Sequence, residues 1–269
     1  METFILPSRL NWEPGTKPNE ATFVIEPCYF GYGTTLGNAL RRVLLSSLPG
    51  AAATAVRIEG AAHEFSAISH VQEDVIQILL NVKQLRMKIS SDEPITLTLN
   101  AKGKREVTAA DIDAPGEVEI VNPALHIATL THRDAELRME ITARRGRGYS
   151  TTESRGHERH PLGTMSIDAV FTPIRNVGFR VENTRVGDIT NYDRLTLTVE
   201  TDGTIRPEDA VRDAAQMVID HFRLIIEPPV PVEPEVPAAP ESETTTEMIA
   251  SEPTVLPPDD APNGGGEVS

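Results

Sequence analysis

The sequence predicts an α+β fold: two long amphipathic helices bracket a strand-rich middle, and an acidic C-terminal tail follows. Three observations predict it. Apolar residues recur at three- and four-residue steps near 35–47 and 207–226. Between 53 and 201 they alternate in short runs separated by Pro, Gly and Asp. After 227 the periodicity is lost and prolines mix with acids, Thr and Gly.

Residues 1–30 read as extended, with ATFVIEP as a short strand and Gly31-Tyr-Gly33 as a turn. A helix is expected from about Thr35 to Ser47, capped by Thr34 or Thr35 and stopped by Leu48-Pro49-Gly50. Leu36, Leu40, Val43, Leu44 and Ser47 share one face. Asn38, Arg41, Arg42 and Leu45 fall opposite. A Leu bracketed by arginines suits a partner surface, where apolar anchors and Arg are enriched.

ATAVRIE (53–59) reads as a strand. A second helix is expected from about Val71 to Leu85, with Glu73 and Asp74 in its first turn, where the helix dipole favours negative charge. Alternating strands follow at 95–99, 118–120, 127–130 and 137–141, then a polar loop at 144–163. Long strands are expected at 165–172, 176–184 and 194–201, ending at Asp202-Gly203. The last helix runs from Pro207 to Ile226, with Pro at a first-turn position, Glu208 and Asp209 on the dipole, and Arg206 as a poor cap. Val211, Ala214, Val218, Phe222 and Ile225 form its apolar face, widened by Met217 and Ile219.

Composition narrows the function. Net charge is −15, and the segment from Glu227 to Ser269 holds ten acids with no Lys or Arg, leaving −5 on the rest. Duplex-DNA binders carry a basic footprint, so high-affinity direct DNA binding is disfavoured. A single cysteine, Cys28, excludes an intrachain disulfide and a multi-cysteine zinc site and suits a reducing cytoplasm. No signal peptide or membrane-length apolar run is evident, so a cytoplasmic protein with no membrane partner is expected.

The motif search favours no independent chemistry. Gly31-x-Gly33-x-x-x-Gly37 departs by one residue from a dinucleotide fingerprint and reads as a tight strand-to-helix turn. His63-Glu64 lacks a second ligand at Ala67, and His157-Glu-Arg-His160 has no third ligand nearby in sequence. Asp111-Ile-Asp113 before Pro115-Gly116 reads as a turn. Arg144, Arg145 and Arg147 near Tyr149 read as a solvated loop or one that pairs with an acidic protein surface, with phosphate contact the less favoured alternative. No catalytic residue, cofactor site or metal site is expected in this chain.

The run from Gly31 to Leu85, with VTAADI (107–112), RGRGY (145–149), SIDAVFTPIRNV (166–177) and DGTIRPEDAV (202–211), resembles the bacterial RNA polymerase alpha-subunit family, in family order across residues 1–227. The resemblance implies a discontinuous dimerisation domain (1–49 with 172–227) and an inserted α+β domain (50–171), followed by the disordered tail (228–269). It implies a homodimer that nucleates assembly by binding the beta and beta-prime subunits, itself non-catalytic within a nucleotidyltransferase complex. The catalytic Mg is expected in beta-prime, and DNA is met only through the assembled, nucleoid-associated enzyme. By position, Arg42, Leu45 and Gln77 are implied at the beta interface, and Lys83 and Ile167 at the beta-prime interface. Leu36, Leu40, Val43, Leu44, Val211, Ala214, Val218 and Phe222 are implied at the dimer interface. The terminal DNA-binding domain usual in the family is expected to be missing, and upstream-promoter binding with it.

Overall fold

The fold grows from an N-terminal hairpin. In the computed structural model, which describes residues 6–156, 161–187 and 189–227, strand β1 (Arg9–Pro14) pairs antiparallel with β2 (Glu20–Cys28). The Glu20 carboxylate accepts from the N–H groups of Thr16 and Lys17 and fixes the turn. Helix α1 (Tyr32–Ser46) follows, then β3 (Pro49–Ile58) and α2 (Val75–Val82). Next come β4 (Met87–Ile89), β5 (Ile95–Lys102), β6 (Arg105–Thr108), β7 (Ile112–Asp113), β8 (Val118–Ile120), β9 (His126–Leu130) and β10 (Glu136–Arg147). The chain continues through β11 (Tyr149–Ser150), β12 (Thr164–Ser166), β13 (Ala169–Val170), β14 (Ile174–Val186), β15 (Ile189–Thr201) and α3 (Pro207–Ile226).

A strand-rich α+β architecture results. One antiparallel sheet has the order β1-β2-β15-β14, so strands from the two ends of the chain lie side by side. Leu195, Leu197 and Val199 of β15 are fully buried and sit opposite Ile25, Phe23 and Ala21 of β2. With Ile174 and Val177 of β14, Leu197 and Val199 receive Leu40, Leu44 and Leu48 from α1 and its end, and Ala210, Val211 and Ala214 from α3. A second sheet, β12-β3-β10-β5-β7, carries a larger core that includes Val56, Leu97, Leu99 and Ile141 and is covered by Val75, Ile78 and Val82 of α2. Between the two, Arg86 lies 3.7 Å from Asp202 with both side chains mostly buried. The Arg86 N–H donates to Asn122, and the carbonyl of Arg86 accepts from the Val121 N–H. Burial lowers the Arg86 pKa and Asp202 opposes that shift.

Several sequence expectations are corrected. Helix α1 begins at Tyr32 after Gly31, whose φ of 81° suits glycine, so neither Thr34 nor Thr35 is its cap. Its cap is remote: Gly33 N–H donates to buried Asp193 of β15 at 3.0 Å. Helix α2 is shorter than expected, because Asp74 caps it by accepting from the Gln77 N–H at 2.8 Å and Val71 bridges to Leu130. Glu73 precedes the helix and accepts from the Thr129 N–H at 2.6 Å and the Thr129 hydroxyl at 2.9 Å. The expected loop at 144–163 is largely built: β10 runs to Arg147, β11 follows, and a 3-10 turn holds Glu153–Arg155. The buried Arg155 guanidinium donates to the carbonyls of Thr54 and Ile167. The expected strand at 165–172 is two short pieces, β12 and β13. Arg206, as expected, makes no side-chain cap, and it pairs with Asp209 at 2.8 Å. The expected tail and missing domain (228–269) and the His157–His160 pair lie outside the described residues.

Two outcomes follow from the buried polar contacts. Asp193→Ala removes the acceptor for the first turn of α1 and is expected to cost about 1–2 kcal/mol in chemical denaturation. The second concerns His126, whose ring nitrogens lie 2.9 Å from Glu73 and 2.9 Å from Glu106. Its pKa is raised chiefly by the Glu73 hydrogen bond. Burial pushes the Glu73 carboxyl up, but hydrogen bonds from Thr129 and His126 outweigh it and leave the pKa below the ordinary value. A raised histidine pKa stabilises the fold fully below the unfolded pKa, and that stabilisation is lost as pH rises through the folded pKa. His126→Gln is therefore expected to lower the melting temperature more at about pH 5.5 than at about pH 8.5. The difference corresponds to less than about 1 kcal/mol for this partly exposed ring, and paired thermal melts check it.

Candidate interaction surfaces

Among the described residues no group of three or more His, Cys, Asp or Glu side chains is arranged to hold a metal ion, and no helix is long and apolar enough to cross a membrane. The short motifs resolve into structural parts. Asp111 accepts from the Thr108 N–H at 2.9 Å and pairs with Arg105 at 2.9 Å, so its carboxylate is engaged in closing a turn. His63 approaches Ser66, and the His70 ring stacks on His132 at 4.7 Å. The Gly33 N–H is taken by Asp193, which supports the tight-turn reading of the glycine motif.

What the chain does present is apolar and cationic surface. A cavity of about 520 Å³ opens between the β1–β2 hairpin and the outer sides of α1 and α3. Its walls include Leu10, Trp12, Leu36, Ala39, Val218 and Ile219. Trp12 is braced by Phe23, with ring centroids 4.6 Å apart. Beyond it the last turns of α3 leave Phe222 60% exposed and Ile226 76% exposed. Exposed apolar surface gathered in one place marks an interaction site more often than scattered single residues do.

The expected dimer residues divide here. Leu36 and Val218 line the cavity and Phe222 extends it. Val43 is half-buried against the core. Leu40 and Val211 pack against the protomer's own sheet and also border the cavity. Leu44 and Ala214 are fully buried, and a fully buried side chain has little surface left for a second chain. Leu10 and Trp12 were not foreseen at this surface, because an alternation of only two apolar residues in RLNWEP says that the segment is extended but not what its apolar side meets. Ile219 was read as widening the α3 band, and it does so on the cavity side.

On the far side of α1, Arg41 and Arg42 are exposed and Leu45 is 39% exposed, as the helical spacing required once Leu40 and Leu44 turned inward. No ion pair engages Arg41 or Arg42 among the described residues. Gln77 is exposed on α2. A groove of about 370 Å³ runs beside that helix, lined by Ile76, Leu79, Leu80, Lys83, Ile167 and Asp168 among others. Lys83 and Ile167 are thus brought to one groove. The Ile167 side chain is only 7% exposed and packs mostly into the core, which limits what it offers directly to a partner.

Asp168 organises this groove. Its carboxylate accepts from the Thr152 N–H at 2.9 Å and from the Tyr149 hydroxyl at 2.8 Å, and lies 3.5 Å from Lys83 Nζ. These contacts, the Thr152 N–H first, hold its pKa below the ordinary carboxylate value, and the same Asp168 hydrogen bond raises the Tyr149 pKa. Nothing in the spacing of residues 149, 152 and 168 announces this network.

Residues 56–172 match the family described as the RNA polymerase Rpb3/RpoA insert domain. The chain is 52% identical over 204 residues to the DNA-directed RNA polymerase subunit alpha of Oceanobacillus iheyensis, covering 76% of this chain and 65% of that protein. It is 51% identical over 208 residues to the subunit of the same name from Clostridium kluyveri, covering 77% of this chain and 66% of that protein. The chain therefore spans about two thirds, and slightly less, of the length of these relatives. Residues 56–172 thus belong to the RNA polymerase Rpb3/RpoA insert-domain family, and about three quarters of the chain is similar to bacterial RNA polymerase alpha subunits.

Proposed function

We propose that this chain is a non-catalytic assembly subunit of a bacterial DNA-directed RNA polymerase. Two copies pair, and the dimer captures the beta and beta-prime subunits to nucleate the core enzyme. Residues 1–49 with 172–227 form the dimerising part, and 50–171 form the inserted part. Catalytic Mg belongs to beta-prime, and DNA is met only through the assembled enzyme.

The observation that carries this reading is the coexistence, on one helix, of a side that faces an open apolar cavity and a side that displays arginines with no ion pair among the described residues. Leu36 and Ala39 of α1 face the cavity with Trp12 and Val218. Pairing two such surfaces buries several large apolar side chains, each contributing roughly 1.5–3 kcal/mol. A two-fold axis then repeats the outward surfaces. Two different large subunits are accommodated if each engages a different subset: Arg42, Leu45 and Gln77 for beta, Lys83 and the groove around Ile167 for beta-prime. A guanidinium suits this role because its planar fork pairs bidentately with carboxylates.

Two results are expected. Size-exclusion chromatography with light scattering finds a dimer at micromolar concentration, and Ile219→Asp combined with Phe222→Asp converts it to monomer with a shift in Trp12 emission; a monomeric wild-type chain refutes the reading. Arg42→Ala leaves the dimer intact and weakens capture of the beta subunit by about tenfold or more. Reconstitution with beta and beta-prime, read as promoter-dependent transcription, tests the whole proposal.

A further inference from the structure

Asp168 is fixed within the protomer from several sides. The Ile167 N–H donates to the Thr54 carbonyl at 3.0 Å, and the Ile167 carbonyl accepts from the buried Arg155 guanidinium. On the other side β13 begins at Ala169, opposite Ser150 of β11. The carboxylate is then engaged at both oxygens, one by the Thr152 N–H at 2.9 Å and the other by the Tyr149 hydroxyl at 2.8 Å. A carboxylate with a tied backbone and two donors keeps one orientation.

Lys83 is the group that this orientation governs. It is the C-cap residue of α2, and its Nζ lies 3.5 Å from the Asp168 oxygen that accepts from Tyr149. The same Nζ lies 5.8 Å from the Tyr149 ring centroid. The ammonium is thus drawn by a carboxylate and by an aromatic face, both of which attract a cation. Its side chain is 30% exposed, whereas those of the ion-paired Lys17, Lys88 and Lys102 are at least half exposed.

The fold gains little from this arrangement. Lys83 and Asp168 are each about one third exposed, where ion pairs stabilise weakly, and Tyr149 is 57% exposed. At 3.5 Å the contact is longer than a strong hydrogen bond, so Asp168 orients the ammonium without capturing its donors. What the arrangement does supply is order in a long, flexible arm. A side chain already ordered in the free protein loses less freedom when a partner takes it.

We propose that Asp168 and Tyr149 are positioning residues that hold the Lys83 ammonium in the groove beside α2 for capture of the beta-prime subunit. The inference rests on the assembly reading above, which assigns Lys83 to beta-prime, and deepens it by naming the residues that turn a mobile charge into a fixed point.

The test titrates purified beta-prime onto the immobilised full-length dimer carrying bound beta. The variants are Lys83→Ala, Asp168→Asn and Tyr149→Leu, and each of the last two combined with Lys83→Ala. Lys83→Ala is expected to weaken capture by about tenfold or more. Asp168→Asn and Tyr149→Leu are each expected to weaken it by about three- to tenfold when Lys83 is present. Neither adds a further loss once Lys83 is Ala, because a residue that acts through Lys83 then has nothing to position. Dimer mass and capture of beta stay unchanged. If Asp168→Asn lowers the melting temperature, the exposed Tyr149→Leu carries the same cycle. A loss that persists in full beside Lys83→Ala marks a structural or direct role and overturns the proposal. Normal or tightened capture by Asp168→Asn and Tyr149→Leu, alongside weakened capture by Lys83→Ala, also overturns it and leaves the assembly reading standing. Normal capture by Lys83→Ala overturns the proposal together with the assignment of Lys83 to beta-prime.

Discussion

The seating of α1 on the four-stranded sheet governs what this molecule shows to others. Leu40 and Leu44 pack against β14 and β15, and a helix that turns 100° per residue must then direct Arg41, Arg42 and Leu45 outward. The approach is close: a Cβ on Gly37 would lie 2.6 Å from the Phe179 ring, so a glycine is needed there. The helix start is held by Asp193, which arrives from β15 on the adjoining strand pair. Core packing and surface display are thus one constraint seen from two sides. Loss of the inner contacts would rotate or tilt the outer residues together.

Helix α3 completes the arrangement by lying alongside α1 with small residues, Ala210 and Ala214, turned to the core. Small side chains let the helix sit close to the sheet, while its other sides remain uncovered over the last two turns. The two outward surfaces differ in physical design. The cavity between the hairpin and the helices gathers aliphatic and aromatic groups whose association is driven by loss of water. The outer side of α1 shows Arg41 and Arg42, which make no ion pair among the described residues, and charged surface of this kind favours orientation and selectivity.

Much of this was legible in the sequence. The last helix, the long alternating strands and the outward position of Arg42 follow from periodicity, because periodicity records burial against a neighbouring layer. Its limits are equally physical. An apolar stripe says that a face avoids water but not which neighbour covers it, so Leu44 and Val218 look alike in sequence while one is buried in the protomer and the other lines an open cavity. The cap of α1 could not be found locally, since Asp193 lies 160 residues from Gly33. Helix α2 was overestimated because Val71 continues the helical apolar pattern but is used in a bridge to Leu130. The Tyr149–Asp168–Lys83 network joins three separate segments and leaves no pattern in any one of them. Arg42, Gln77 and Lys83 were assigned partners only through family resemblance; spacing alone identified Arg42 and Leu45 as surface-facing.

The Arg86–Asp202 contact has a mechanical corollary. A guanidinium stripped of most of its water lies beside a carboxylate, with its own peptide groups tied to Val121 and Asn122, so separating the two halves would leave a buried charge without its counter-charge. The strand-rich half and the helix-bearing half are thereby held at a set spacing, like the jaws of a caliper locked before use. Any body that touches both must carry contact points at that separation, so distance itself becomes a criterion of admission.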